Sequence, residues 1–344
     1  MKAAFITGHG GNEVVEVRAC PRVMRQPGEV LIRVEAATLN QVDLYMRNSG
    51  AGITHRLPQI MGLDAAGVIE EVDASEAVLK VGQSVVVHPG ITCGRCEFCQ
   101  RGEGVLCTKM QLLGEHRDGT FAQWISVPAQ NVFPMPQGLS FAQAAAMGVN
   151  YLTAWRMLFT KAQIKPWETA LIFGIGGGVS LAAMQLAKAI GVKVIVTSRE
   201  DSKLQRALAM GAECGINSQT QDVATAVLSY TGGRGVDVVI ENVGEAVWSM
   251  AMKSLVRGGR LVTCGATTGD QPPADLRRIF IRQLQILGST HGDFSEFRAL
   301  LSFVEKSQIQ PVIDSEFPLD RIHDALTRLE SGQQFGKIAL NLTA

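Results

Sequence analysis

The sequence predicts a two-domain α/β protein, with one doubly wound parallel sheet and one β-rich domain. Three observations carry that expectation. The chain has 344 residues, more than the ~150 of a typical domain. Glu168 to Glu200 reads as strand, glycine-rich turn, helix and second strand. The N-terminal part is dense in short strand-like stretches bounded by Gly and Pro, the pattern of a compact β domain with partial barrel character.

Composition narrows the class. Hydrophobic residues make up 46% and charged residues 19% of the chain, enough to build a large core and too apolar for disorder. Thirty-two basic residues balance 32 acidic ones, so no basic footprint for nucleic acid exists. Arg277, Arg278 and Arg282 read as a solvated helix face. The longest apolar stretch, Leu171 to Thr197, is interrupted by Lys188, Lys193 and several glycines, so no membrane span is expected. The opening MKAAFITGHG has no apolar core of a signal peptide. The expectation is a cytoplasmic, reducing location, where seven cysteines are free thiols or metal ligands before they are disulfides.

In order along the chain, VLIRVEAATLN (Val30 to Asn40), GVIEEV (Gly67 to Val72) and QSVVVHP (Gln83 to Pro89) predict strands. SFAQAAAMGVNYLTAWRMLF (Ser140 to Phe159) predicts helix, then helix. Strands follow at ALIF, VKVIVT, VDVVIENVG and GRLVTCGA, with helical patterns between them, which implies parallel pairing with helices on both faces. After about Leu284, QILGST predicts a strand, DFSEFRALLSFVEKSQI a helix, and GKIALNL a final strand. The expected domains are residues 1–147 with 286–344, and residues 148–285.

The turn Phe173-Gly174-Ile175-Gly176-Gly177-Gly178-Val179-Ser180 falls where a dinucleotide-binding turn belongs, after an apolar strand and before an amphipathic helix. Glycines permit a tight turn and close backbone approach to a pyrophosphate, and the helix start offers unpaired N–H groups. The register is Gly174-x-x-Gly177-x-x-Ser180, with Ser in place of the last glycine; Gly176, Gly178 and Val179 complete the expected contact. A plain flexible loop is the alternative. The second strand ends in Thr197-Ser198-Arg199, about 20 residues further on, where NAD-binding sites place an acid. Neutral hydroxyls, Arg199 and Lys203 suit a 2′-phosphate, so NADP(H) is expected in preference to NAD(H). Glu200 and Asp201 lie close enough to restore an acid if the register slips.

Cys93-x2-Cys96-x2-Cys99-x7-Cys107 is the sharpest motif. Four thiolates at this spacing close a tetrahedral structural zinc site; an iron–sulfur cluster uses similar spacing, and disulfides are the remaining alternative. Cys20, Cys214 and Cys264 read as buried small residues.

With these segments in view, the chain resembles the zinc-containing alcohol dehydrogenase family of the medium-chain dehydrogenase/reductase superfamily. The resemblance runs over nearly the whole length, through the cysteine lobe, LPQIMGLDAAGVIEEV, DGTFAQW, NYLTAW, the glycine turn and GKIAL. It implies a GroES-like catalytic domain beside a Rossmann domain, a small-molecule substrate bound between them, hydride transfer and a homodimer or homotetramer. It places Thr153, Gly265 and Ala266 beside the cofactor, and Asn242 is counted with them. Members with a catalytic zinc carry ligands where this chain has Asn40, Leu63-Asp64 and the region of Val149, so one structural zinc and no catalytic zinc is expected. LNQVDLYMRNSG resembles the zinc-free quinone-reductase and enoyl-reductase branches. The implied activity is NADPH-dependent reduction of an activated C=C bond or a quinone. A zinc-dependent alcohol dehydrogenase and a non-enzymatic NADPH-binding protein are the alternatives. Asn40 as donor to a substrate carbonyl, Tyr45 as donor or proton source, and Asp64 as the group that orients Asn40 are the candidate catalytic residues; turn capping, cleft packing and a structural turn acid are their plainer readings. His88, His116 and His291 read as loop or satisfied histidines, and His55, in SGAGITHRLP, as a weak substrate-side candidate.

Overall fold

A computed structural model describes residues 1–53, 55–73 and 76–343. The chain divides into two compact units, Met1–Leu152 with Gly292–Ala344, and Thr153–His291.

The first unit opens with strands β1 (Lys2–Ile6), β2 (Val15–Ala19) and β3 (Glu29–Thr38), helix α1 (Gln41–Ser49), and strands β4 (Gln59–Ile60), β5 (Asp64–Glu71), β6 (Ser84–Val87) and β7 (Gly90–Ile91). A short helix α2 (Glu97–Gln100), strands β8 (Gln111–Leu112), β9 (Trp124–Pro128) and β10 (Val132–Pro134), and helix α3 (Phe141–Ala145) follow. The predicted pair of helices over Ser140 to Phe159 is instead a run of α and π turns, with π turns at Met147–Tyr151 and Arg156–Lys161 around helix α4 (Leu152–Trp155).

The second unit contains β11 (Thr169–Ile172), α5 (Gly178–Ala189), β12 (Lys193–Ser198), α6 (Asp201–Ala209), β13 (Cys214–Asn217), α7 (Val223–Tyr230), β14 (Val236–Glu241), α8 (Glu245–Ser254), β15 (Leu255–Thr263), α9 (Leu276–Arg282) and β16 (Gln285–Gly288). Its sheet is parallel throughout, in the order β13-β12-β11-β14-β15-β16. That order reverses direction after β11, the arrangement that opens a crevice at the C-terminal strand ends. β14 (VDVVIE) is buried along its whole length, as a central parallel strand covered on both faces must be. Leu171, Ile195 and Val239 form the core of this sheet with Val227 and Met252.

The chain then returns to the first unit as α10 (Phe294–Lys306), β17 (Ile313–Pro318), α11 (Ile322–Ser331) and β18 (Lys337–Asn341). α11 buries Ile322, Ala325, Leu326 and Leu329 at helical spacing. The main sheet of this unit runs β10-β6-β5-β3-β18-β17, with β9 also paired to β3. Its core gathers Val34, Ile69, Val87, Phe121 and Leu340.

The expected boundary at residue 285 needs correction. QILG pairs in parallel with β15, Leu261 opposite Ile286, so this strand completes the second unit's sheet and the return begins at Gly292. At the other boundary the break falls after Leu152 rather than after 147.

Candidate functional site

Strand register assembles a buried polar knot in the first unit. Thr38, the last residue of β3, stands opposite Asp64, the first of β5, and opposite Ala339 of β18. Lys337 lies two residues before Ala339 and so shares its face. The Thr38 hydroxyl donates to Asp64 Oδ2 (2.7 Å), Asn40 Nδ2 donates to the same oxygen (2.9 Å), and the Lys337 ammonium lies 3.2 Å from it. Lys337 also donates to Asn40 Oδ1 (2.6 Å) and to the Leu39 carbonyl (2.7 Å). Asn150 Nδ2 donates to Asn40 Oδ1 (2.8 Å). Asp64 and Lys337 are 0% and 2% exposed, so the pair is screened from water and its removal in part is costly.

The structure therefore brings Asp64 and Asn40 together. It does not leave Asn40 a free donor: one amide hydrogen goes to Asp64 and the other toward the Thr38 carbonyl (3.4 Å). The donor role expected of Asn40 is corrected accordingly, because the amide is 3% exposed and its hydrogens point inward. Asn40 also starts α1, where the Asp43 carboxylate accepts its backbone N–H (2.7 Å). Burial, with the Asp64 charge nearby, pushes the Asp43 carboxyl up to about 8. Burial pushes Lys337 down, and the Asp64 carboxylate opposes that. Tyr45 is half-buried in the middle of α1.

Lys337 escaped the sequence reading; a lysine inside the otherwise apolar alternation of GKIALNL was the available signal. Asp64 Oδ1 is buried without a hydrogen-bond partner and faces Gly148, where any Cβ would lie 2.5 Å from it. The positions expected of a catalytic zinc hold an amide, a buried leucine, a carboxylate already bound to an ammonium, and Val149. That donor set does not fit the three ligands and open position that such a zinc requires. Of the histidines, His88 is buried with Nδ1 at the Gly90 carbonyl (3.1 Å) and Nε2 at the Gly292 carbonyl (3.0 Å), and burial holds it down at about 4. His55 lies beside His9, ring centroids 5.2 Å apart, and burial lowers its pKa first, the His9 and His116 charges second.

In the second unit the turn after β11 uses positive φ at Gly174 (66°) and Gly176 (115°), where a side chain would be strained. Gly177 caps α5, and Gly178 and Val179 open it. Ser180, in place of the last glycine, donates to the Phe173 carbonyl (2.7 Å) and accepts from Asn242 Nδ2 (3.1 Å). It thereby ties the strand end, the helix and the β14 loop into one unit. Gly265 packs its Cα against that loop: a Cβ would sit 2.7 Å from the Asn242 carbonyl. Ala266 meets Gly244 in the same way, 3.0 Å from its would-be Cβ. Glu241, fully buried, accepts the N–H groups of Val243 and Gly244 and the Thr263 hydroxyl (2.9 Å). The sequence reading missed this acid; it fixes the turn that carries Asn242. Thr153 is buried in α4. The glycine cradle and the helix start fit a dinucleotide's pyrophosphate.

At the end of β12, Ser198 accepts the Glu200 N–H (3.0 Å). Glu200 is held by Lys203 (2.7 Å), and Asp201 accepts from Asn217 Nδ2 (2.7 Å). Lys203 is thus engaged with an acid, whereas exposed Arg199 makes no ion pair among the described residues.

The four cysteines of the lobe converge, with all their sulfurs within 4.8 Å of one another. Cys96 and Cys99 lie 3.5 Å apart, Cys93 and Cys99 4.0 Å. Thiolates ~2.3 Å from one tetrahedral zinc stand ~3.8 Å apart, so one ion fits and a disulfide at ~2.05 Å does not. Backbone N–H groups hold Cys93 below its ordinary range and Cys96 at about 6, whereas burial pushes Cys99 up to about 11. Val105 N–H donates to Asp293 Oδ1 (2.5 Å), which seats the lobe on the start of α10.

Comparison with known proteins adds to this geometry. Residues 26–137 match the family model of the alcohol dehydrogenase GroES-like domain, and residues 178–306 that of the zinc-binding dehydrogenases. An alcohol dehydrogenase of Geobacillus stearothermophilus is 30% identical over 99% of this chain and 100% of its own length. A human quinone oxidoreductase is also 30% identical, over 99% of this chain and 98% of its own. A crystal structure of an NAD-dependent alcohol dehydrogenase superposes with a TM-score of 0.95 at 38% identity, covering 99% of each chain.

Proposed function

The chain belongs to the medium-chain dehydrogenase/reductase superfamily and is an oxidoreductase, and from that premise we propose that it reduces an activated C=C bond, in an α,β-unsaturated carbonyl or enoyl thioester, or a quinone, with NADPH and without a catalytic zinc. The observation that supports this reading is the donor set around Asp64: the positions of a catalytic zinc hold the Asn40 amide, buried Leu63, and Val149, and the Lys337 ammonium lies 3.2 Å from the Asp64 carboxylate. Alcohol oxidation without a Lewis acid lacks its usual stabilisation of the alkoxide. Reduction of an activated alkene builds an enolate instead, which hydrogen-bond donors can hold.

Bound at the glycine turn, a nicotinamide dinucleotide supplies the hydride. The proposed residues for its grip are Gly174, Gly176, Gly177, Gly178 and Val179 at the pyrophosphate, Ser198 and Arg199 at the 2′-phosphate, and Thr153, Asn242, Gly265 and Ala266 toward the nicotinamide. In the alkene case the hydride pair forms the C–H bond at the β carbon, the alkene π pair shifts to the bond between the α carbon and the carbonyl carbon, the carbonyl π pair moves onto oxygen, and a proton from water completes the C–H bond at the α carbon as the pairs return. Tyr45 is the proposed donor to that oxygen. Asn40 and Asp64 are positioning residues that fix the start of α1, which carries Tyr45. A homodimer or homotetramer belongs to the same reading, and the edge of β16, unpaired among the described residues, gives a second copy a place to add.

One observation favours the alcohol dehydrogenase alternative: Asp64 Oδ1 is buried with a free lone pair, and relatives carry that name. Elemental analysis of the purified protein, paired with NADPH oxidation assays, separates the two. Close to one zinc per chain with turnover of enones or quinones supports the proposal. Close to two, with alcohol oxidation, sinks it. Failure to oxidise NADPH with any acceptor sinks it in favour of a non-enzymatic binder.

A further inference from the structure

At the N-terminal ends of the second unit's strands lies a cavity of about 490 Å³. A bulge builds it. Val236 pairs with Leu255 and Val238 with Arg260, so residues 256–259 loop out opposite the single residue Asp237. The glycine turn follows the other end of β11, whose four residues span ~13 Å, so the cavity is separate from the dinucleotide crevice.

Its charges do not balance. Arg234, Arg257, Arg260 and Arg282 line it with only Glu168 and Asp237. Arg234 grips Asp237 in a two-pronged pair (2.6 and 3.0 Å), and Arg260 binds Glu168. Arg257 and Arg282 reach only backbone carbonyls, of Ile281 (3.1 Å) and Leu255 (3.0 Å), and neither has a carboxylate partner among the described residues. The Nε atoms of Arg260 and Arg282 are buried with no acceptor, which costs the full desolvation of each N–H. Burial, then the charges of Arg278 and Arg257, push Arg282 below its ordinary range. Arg282 therefore does not belong to a solvated helix face, as its sequence context implied. Two unmatched guanidinium groups and two idle N–H donors describe a site short of an anion.

We infer that this cavity binds a phosphate dianion, free or as the head of a small phosphate ester, at a site distinct from the cofactor's. Guanidinium forks match phosphate oxygens in pairs, and two uncompensated positive charges match a dianion. The cavity is several times the size of a phosphate ion, so the carbon portion of an ester has room. Gly258, at φ 73° with open space around its Cα, leaves the bulge clear for approach. Binding to the folded state alone raises its stability by mass action.

The test is thermal unfolding of the full-length protein, titrated with inorganic phosphate at constant ionic strength held by NaCl. The expected result is a saturable rise of the midpoint that NaCl alone does not give. Arg282→Gln is expected to weaken the apparent phosphate affinity about tenfold or more, and Arg199→Ala to leave it unchanged. Arg257→Gln gives the same test if Arg282→Gln folds poorly. Glycerol 3-phosphate run in parallel identifies the source: equal or tighter binding assigns an ester, and loss of binding with phosphate retained assigns the free ion. No saturable shift, or a shift kept in both arginine variants, overturns the inference.

Discussion

At the residue scale, Lys337 and Asp64 act as one group. Each is buried, and each meets the other at 3.2 Å with Asn40 bridging them. Lys337→Met leaves the Asp64 carboxylate with only Thr38 and Asn40 as donors. The expected cost is about 3–5 kcal/mol in urea unfolding, with most of it recovered in Lys337→Met/Asp64→Asn, where neither charge of the pair remains. A single-variant loss below about 1 kcal/mol would show that the pair is not a unit. Asn40 and Asp64 were legible from the family motifs that their segments resemble. Lys337 was not, since its partner lies 273 residues away in sequence and only strand register joins them.

At the element scale, the proposed cofactor preference rests on the end of β12. Three side chains there are spent: Glu200 on Lys203, Asp201 on Asn217, and Ser198 on the Glu200 N–H. Arg199 is exposed, and on the proposed reading it meets the 2′-phosphate. Arg199→Ala is expected to weaken NADPH binding about tenfold or more relative to NADH, read from equilibrium fluorescence titrations of both cofactors. Equal affinities before and after the change would sink the NADPH preference. The strand and helix at the glycine turn were legible because a short continuous apolar run gives way, across the glycines, to a longer helical pattern. The cross-link through Ser180 and Asn242 was not, because it joins a helix start to a loop 62 residues away. The π turns at 147–151 and 156–161 were also hidden: their residues are those of an ordinary helix, and a π turn differs by one inserted residue rather than by composition.

At the scale of the whole molecule, the cysteine lobe is a local clamp on the first unit. It reaches α10 through the Val105–Asp293 hydrogen bond, so metal loss is felt beyond the loop. Cys96→Ser is expected to abolish zinc content and lower the thermal midpoint by about 5 °C or more. Dinucleotide affinity, seated on the six-stranded sheet of the other unit, is expected to stay within about threefold. A large loss of cofactor affinity in this variant would mean that the units are energetically coupled.

The sequence by itself determined the two-unit α/β plan, the four-cysteine cluster and the glycine-rich strand–turn–helix, because each is written in local spacing and apolar patterning. Tertiary structure alone decided where the boundary at β16 falls, that the amide of Asn40 is turned inward, that Lys337 neutralises Asp64, and that Arg282 lines a cavity with its Nε buried. Those outcomes depend on which distant strands pair and in what register. Pairing is settled by burial of the whole sheet, and no short window of residues contains it.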